Sequence, residues 1–154
     1  MAARARVEEG WGSAGTISPM RVLGLHHVGM AVDDLDEAID TYGRLFGARV
    51  ELRGRMEEQG VEAAYLRLGE GRVELVAALA PDTPVGRFLA SRGPAMHHVA
   101  LEVDDIGLAL AELSASGANI LDPEPRRGLG GYAVGFVHPE SLHGVLAEVL
   151  AEHG

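Results

Sequence analysis

The sequence predicts an α+β fold in which two tandem βαβββ modules form one cupped, eight-stranded mixed sheet with helices on its outer face. Three observations predict it. One unit is written twice, each copy opens with a strand-like run leading into an acidic helix cap, and each closes with three further runs of strand composition.

The repeat appears when His27 is set on His98, 71 residues further on. "LHHVGMAVDDLDEAI" then faces "MHHVALEVDDIGLAL", sharing the double histidine, two valines and "DD". Each "DD" lies where an N-cap belongs, just before apolar residues at helical spacing. Leu35, Ala38, Ile39 and Tyr42 mark the first helix; Ile106, Ala109, Leu110 and Leu113 mark the second. Each is expected to end near a glycine, Gly47 and Gly117. The strand-like runs that follow are "ARVELRGRME", "VEAAYLRLG" and "RVELVAAL" in the first copy, then "ANILD", "YAVGFVHP" and "GVLAEVL" in the second. Between the copies "PDTPVGRFLASRGP" predicts a short linking helix over 85–91. Residues 21–154 therefore read as a single domain, with module one at 23–80, a linker at 81–94 and module two at 95–150.

Composition narrows the function classes. At 154 residues, 47% hydrophobic and 23% charged, the chain is one ordinary globular domain. It has no cysteine, which removes thiolate ligands, disulfides and cysteine nucleophiles and fits a cytoplasmic home. The net charge of −10, with every one of the thirteen basic residues an arginine, argues against nucleic acid, which needs a basic face. No run approaches the roughly 18 apolar residues of a membrane span. The first twenty residues lack the apolar run of about 7–15 residues that a secretory signal needs. They read as a flexible extension without chemistry.

Strand alternation sorts the histidines. His26, Val28, Met30 and Val32 are expected on the helix-facing side of the first strand, with His27, Gly29 and Ala31 opposite. His97, Val99, Leu101 and Val103 likewise leave His98, Ala100 and Glu102 for the cleft. His26 and His97 then read as core or strand-end histidines. A repeat should repeat its carboxylates too. Glu74 in "RVELVA" and Glu148 in "VLAEVLA" lie on the last strand of each half, in apolar surroundings where an unpartnered acid is costly. A divalent cation held by two imidazoles and two carboxylates would compensate all four, and Mn²⁺, Co²⁺, Fe²⁺, Ni²⁺ and Zn²⁺ all suit that donor set. The alternative for a lone strand histidine is plain core packing; two in register, with two glutamates in register, favour the metal.

The residues "HHVGMAVDDLDEAIDTY", "EEQGVEAAYLRLGEGRVEL", "PDTPVGRFLA", "GPAMHHVALEVDDI", "EPRRGLGGYAVGFVHP" and "GVLAEV" resemble the vicinal oxygen chelate superfamily and, within it, the methylmalonyl-CoA epimerases. The resemblance spans residue 23 to about residue 150. It implies His27, Glu74, His98 and Glu148 as ligands of a divalent ion such as Co²⁺, Mn²⁺, Ni²⁺, Zn²⁺ or Mg²⁺. It also implies an acyl-CoA substrate, a homodimer, and interconversion of (R)- and (S)-methylmalonyl-CoA through an enolate. Some relatives carry a base glutamate three residues after the glycine of "EQGV"; here that position is Ala63, and Glu62 stands one residue early. The resemblance leaves Glu148 as the base at one face and Glu62 as a candidate for the other. This group usually has lysine at the Glu140 position, so CoA phosphates would fall to Arg126 and Arg127 beside Gly130 and Gly131, or else those arginines form a solvated loop. The rival readings are a lactoylglutathione lyase acting on a glutathione hemithioacetal, which shares the ligand set, and a metal-free small-molecule-binding or resistance protein, which has no need of it. Ring-cleaving dioxygenases fit less well, since Glu74 makes a fourth ligand.

Overall fold

The computed structural model describes residues 20–152. The extension expected over residues 1–19 lies outside the described residues. Met20, counted with it, belongs to the body: its amide N–H donates to Glu112 Oε2 at 3.0 Å and its side chain packs on the cluster of Val103 and Leu110.

Eight strands form one sheet. β1 (Val22–Ala31), β2 (Arg49–Met56), β3 (Val61–Leu68) and β4 (Gly71–Ala78) come from the first half. β5 (Ala95–Val103), β6 (Arg126–Arg127), β7 (Ala133–Val137) and β8 (Ala147–Ala151) come from the second. Their order is β2-β3-β4-β1-β5-β8-β7-β6. β1 runs parallel to β4, β5 parallel to β8, and β1 antiparallel to β5, so each half repeats the other across the β1–β5 seam.

Two helices cover the outer face, α1 (Leu35–Phe46) and α3 (Ile106–Ala115). Each starts where a carboxylate takes an orphan amide: Asp34 Oδ1 accepts the Glu37 N–H at 2.9 Å and Asp105 Oδ1 the Leu108 N–H at 3.0 Å. Leu35, Ala38, Ile39 and Tyr42 bury against Ala64, Leu66, Leu75 and Ala77. Ile106, Ala109, Leu110 and Leu113 bury against Val103, Val149 and Ala151. Gly47 closes α1 at φ 67°, a left-handed turn that glycine adopts without strain.

Two details differ from the sequence reading. The linking helix, α2 (Pro84–Arg92), does more than connect: Val85, Phe88 and Leu89 pack on Ala31, Val61 and Val76, so it walls one end of the concave face. "ANILD" makes only a single bridge, Ile120 to Val137, and the eighth strand is β6 instead. The physical reason lies in Asp122, Pro123 and Pro125. The Asp122 carboxylate itself accepts the Phe136 N–H, at 3.2 Å, and the prolines have no N–H to continue a ladder.

Candidate metal centre

The concave face of β1, β4, β5 and β8 carries His27, Glu74, His98 and Glu148. Small neighbours on the same face, Gly29, Ala31 and Ala100, leave room above them. All four groups are buried. His27 Nε2 lies 3.1 Å from His98 Nε2, 3.6 Å from Glu74 Oε1 and 3.8 Å from Glu148 Oε1. His98 Nε2 lies 3.3 Å from Glu74 Oε1. One ligand atom each of His27, Glu74 and His98 falls within a 4.8 Å span, with Glu148 at its side. The edges of a coordination shell are roughly 3.0–3.5 Å when bonds to the ion are about 2.1 Å; the two spacings to His98 Nε2 fall in that range, and those from His27 to the two carboxylates are slightly wider. Two imidazole nitrogens and two carboxylates form a donor set that suits a divalent cation.

Electrostatics point the same way. Burial pushes the Glu74 carboxyl up, but hydrogen bonding from His27 and His98 outweighs it and holds the group at about 2. Glu148 goes the other way: burial, then the charge of Glu74, raise it well above the carboxylate range. Burial also lowers His27, against the pull of Glu74. Two carboxylates are therefore one charge too many for the protein groups alone, a deficit that a cation between them removes.

Both leading histidines depart from the alternation read in the sequence. In the β1–β5 ladder Leu25 pairs with Leu101 and His27 with Ala100, skipping His26; Gly29 pairs with His98 and Met30 with Met96, skipping His97. A bulge at each position turns two consecutive side chains to the same side. His26 therefore sits against the rings of Tyr65 and Tyr132 rather than under a helix, and His97 against Phe88 of α2. Each leading histidine meets its neighbour through Nδ1, at 2.8 Å for His26 and His27 and 2.9 Å for His97 and His98.

A cavity of about 40 Å³ opens beside the centre, with Met56, Val61, Val76, Val85, Leu129 and Phe136 as its apolar wall. Tyr65 lines it as well, a residue that sequence reasoning passed over although it shares the inward parity of Ala63 on β3. Glu62 is not in this cavity. It points to the outer face, where its Oε1 accepts from Arg53 Nε at 3.0 Å and NH2 at 2.6 Å while Arg53 also binds Asp36. Alternation along β3 is unbroken there, so no bulge re-aims it. Arg127, Gly130 and Gly131 border a second groove of about 410 Å³ with Arg55 and Gln59, whose side-chain amide N–H donates to the Arg127 carbonyl at 2.9 Å. Arg126 is engaged elsewhere, its Nε 2.6 Å from the buried Asp122 carboxylate.

Residues 26–136 match the Glyoxalase/Bleomycin resistance protein/Dioxygenase superfamily. The chain is 38% identical over 127 residues to the mitochondrial methylmalonyl-CoA epimerase of Dictyostelium discoideum, covering 81% of this chain and 76% of that protein. It is 35% identical to the ethylmalonyl-CoA/methylmalonyl-CoA epimerase of Cereibacter sphaeroides, covering 81% and 95%. A solved methylmalonyl-CoA epimerase in complex with methylmalonyl-CoA and NH4+ superposes with a TM-score of 0.84 at 31% identity, covering 87% of this chain and 97% of that one. A double-histidine sheet, four convergent donors and these likenesses make the chain a member of the glyoxalase/bleomycin resistance protein/dioxygenase superfamily and, within it, of the methylmalonyl-CoA epimerase family.

Proposed function

We propose that the protein interconverts (R)- and (S)-methylmalonyl-CoA by removing and returning the proton between thioester and carboxylate. The observation that carries this reading is the meeting of His27, Glu74, His98 and Glu148 in a buried cleft beside an apolar cavity. A divalent cation held by these four residues supplies electrostatic stabilisation for the negative charge that develops on the thioester oxygen. The protein contributes the rest. Met56, Val61 and Leu129 exclude water from the reacting carbon, and small side chains leave space for it. Glu148, in the cavity wall, exchanges the α-proton at one face of the planar intermediate. Glu62 does not serve the other face, since Arg53 holds it on the far side of the sheet.

The CoA portion is assigned to the groove of Arg55, Arg127, Gly130 and Gly131, where a guanidinium and backbone amides meet the phosphates. Arg127→Ala is expected to raise KM for the CoA ester about tenfold with kcat unchanged, the signature of uniform binding. Arg126→Ala is expected to act on stability instead, by stranding Asp122.

The same reading includes a homodimer in the cytoplasm, supported by exposed apolar side chains such as Leu25, Phe46, Met96 and Val145 and by the absence of cysteine. No helix among the described residues is long and apolar enough to cross a membrane.

Proton NMR of methylmalonyl-CoA in D₂O tests the reaction. Washout of the α-proton with Co²⁺ or Mn²⁺ added, its loss on chelation, and its loss in His98→Ala are the expected results. Turnover of the hemithioacetal of methylglyoxal and glutathione without washout would replace this function by the lyase.

A further inference from the structure

The double histidine has an arrangement that metal ligation alone leaves unexplained. His98 Nε2 faces the centre, and its other ring nitrogen, Nδ1, lies 2.9 Å from Nδ1 of His97. A ligand imidazole needs a fixed partner for its second nitrogen, because that partner sets both the ring orientation and which nitrogen keeps the lone pair. In most sites the partner is a carboxylate, a carbonyl or water; here it is another imidazole. His97 is itself held edge-on by Phe88 in the middle of α2, ring centroids 4.9 Å apart.

Hydrogen-bond direction distinguishes this pair from its repeat. A guanidinium can only donate. Arg72 NH1 stands 2.8 Å from His26 Nε2, so a neutral His26 accepts there and carries its hydrogen on Nδ1, turned toward His27. His27 accepts at Nδ1, and its own hydrogen falls on Nε2, toward His98 Nε2 at 3.1 Å. Ligation of a cation through His98 Nε2, which in the metal-free centre lies 3.3 Å from Glu74 Oε1, demands that the ring hydrogen sit on Nδ1, toward His97. In the series Arg72–His26–His27 the hydrogen of His27 falls on Nε2 instead.

We infer that His97 is a positioning residue: its Nδ1 accepts the Nδ1–H of His98 and thereby presents the His98 Nε2 lone pair to the metal site. The inference rests on the reading of His98 as a ligand. It says that His98 is prepared for the cation by its neighbour, whereas His26, occupied by Arg72, gives His27 no such acceptor.

The test is Co²⁺ binding to the full chain without substrate, followed by chelator competition and by the visible d–d spectrum. His97→Leu keeps a branch at the position of Nδ1 but no acceptor; His97→Asn places an amide oxygen there. His97→Leu is expected to weaken Co²⁺ binding about 10–100-fold and to shift the d–d bands, and His97→Asn to restore both to within a few-fold of the original. Thermal melts of the metal-free proteins report folding, and if His97→Leu does not fold, His97→Ala takes its place. Wild-type affinity in the Leu or Ala protein overturns the inference, as does an Asn protein that binds as weakly as either. A wild-type chain that binds no Co²⁺ overturns the ligand reading as well, so the two failures are distinguishable.

Discussion

Gly29→Ala is expected to reduce both Co²⁺ affinity and α-proton exchange by at least about 100-fold, although it adds only one methyl group. A Cβ on Gly29 would lie 2.0 Å from His98 Cε1, 2.3 Å from Nδ1 and 2.4 Å from Nε2. Gly29 pairs directly with His98 across the β1–β5 seam, so the imidazole lies over the bare backbone of the neighbouring strand. The ring has few places to go. His97 holds one side and the Phe136 ring is 5.9 Å away in an edge-on arrangement. Gly29 is not in a left-handed conformation, so alanine costs nothing in backbone strain and the effect is one of space. Overpacking of this kind costs about 1–3 kcal/mol, or roughly 2–4 °C in Tm per kcal/mol for a chain of this size. A modest loss of Tm with a large loss of metal binding is the expected combination. Wild-type Co²⁺ affinity in Gly29→Ala would show that His98 does not ligate in the orientation seen here.

Glu148→Gln is expected to move stability and activity in opposite directions. In the metal-free protein the buried Glu148 carboxyl is raised well above its ordinary value, first by burial and then by Glu74. A carboxyl in the unfolded chain titrates near about 4.3. A group raised on folding contributes its stability below that value and loses it as pH rises toward the folded value. Glutamine has no such penalty, so the metal-free variant should melt higher than wild type, and its advantage should widen as pH rises above about 4.3. His26 and His97, lowered to about 4 mainly by burial, act in the opposite sense, since they oppose folding as pH falls below about 6.5. Both proteins share those histidines, so the difference in Tm isolates Glu148. With Co²⁺ present the order should reverse, because removing a charged ligand costs more than the roughly 100-fold upper limit for an outer-sphere partner. Differential scanning calorimetry as a function of pH, with and without the ion, checks both halves.

Much of this centre is legible without coordinates because the gene repeats it. The parity of His27 and His98 on β1 and β5, and of Glu74 and Glu148 on β4 and β8, follows from a period of two applied to two copies. Asp34 and Asp105 cap α1 and α3 as their spacing suggests. The bulges at His26 and His97 are a different matter. A skipped residue leaves no mark in residue type, yet it decides that both members of each histidine pair face inward. Tertiary partners are equally silent: that Arg53 takes Glu62, or that Asp122 replaces a ladder contact, depends on residues brought together by the sheet. Alternation from the inward Ala63 puts Glu62 on the outer face, against its reading as the second base, and its ion pair with Arg53 holds it there.

The central claim is that His27, Glu74, His98 and Glu148 hold a single divalent cation. Anomalous diffraction from crystals of the Co²⁺-loaded protein, with data collected on both sides of the cobalt edge, tests it most directly. The expected result is one strong anomalous peak per chain, about 2.0–2.2 Å from His27 Nε2, His98 Nε2 and one oxygen of each glutamate. A fully loaded protein with its peak elsewhere, or bound by the histidines without either glutamate, would contradict the account.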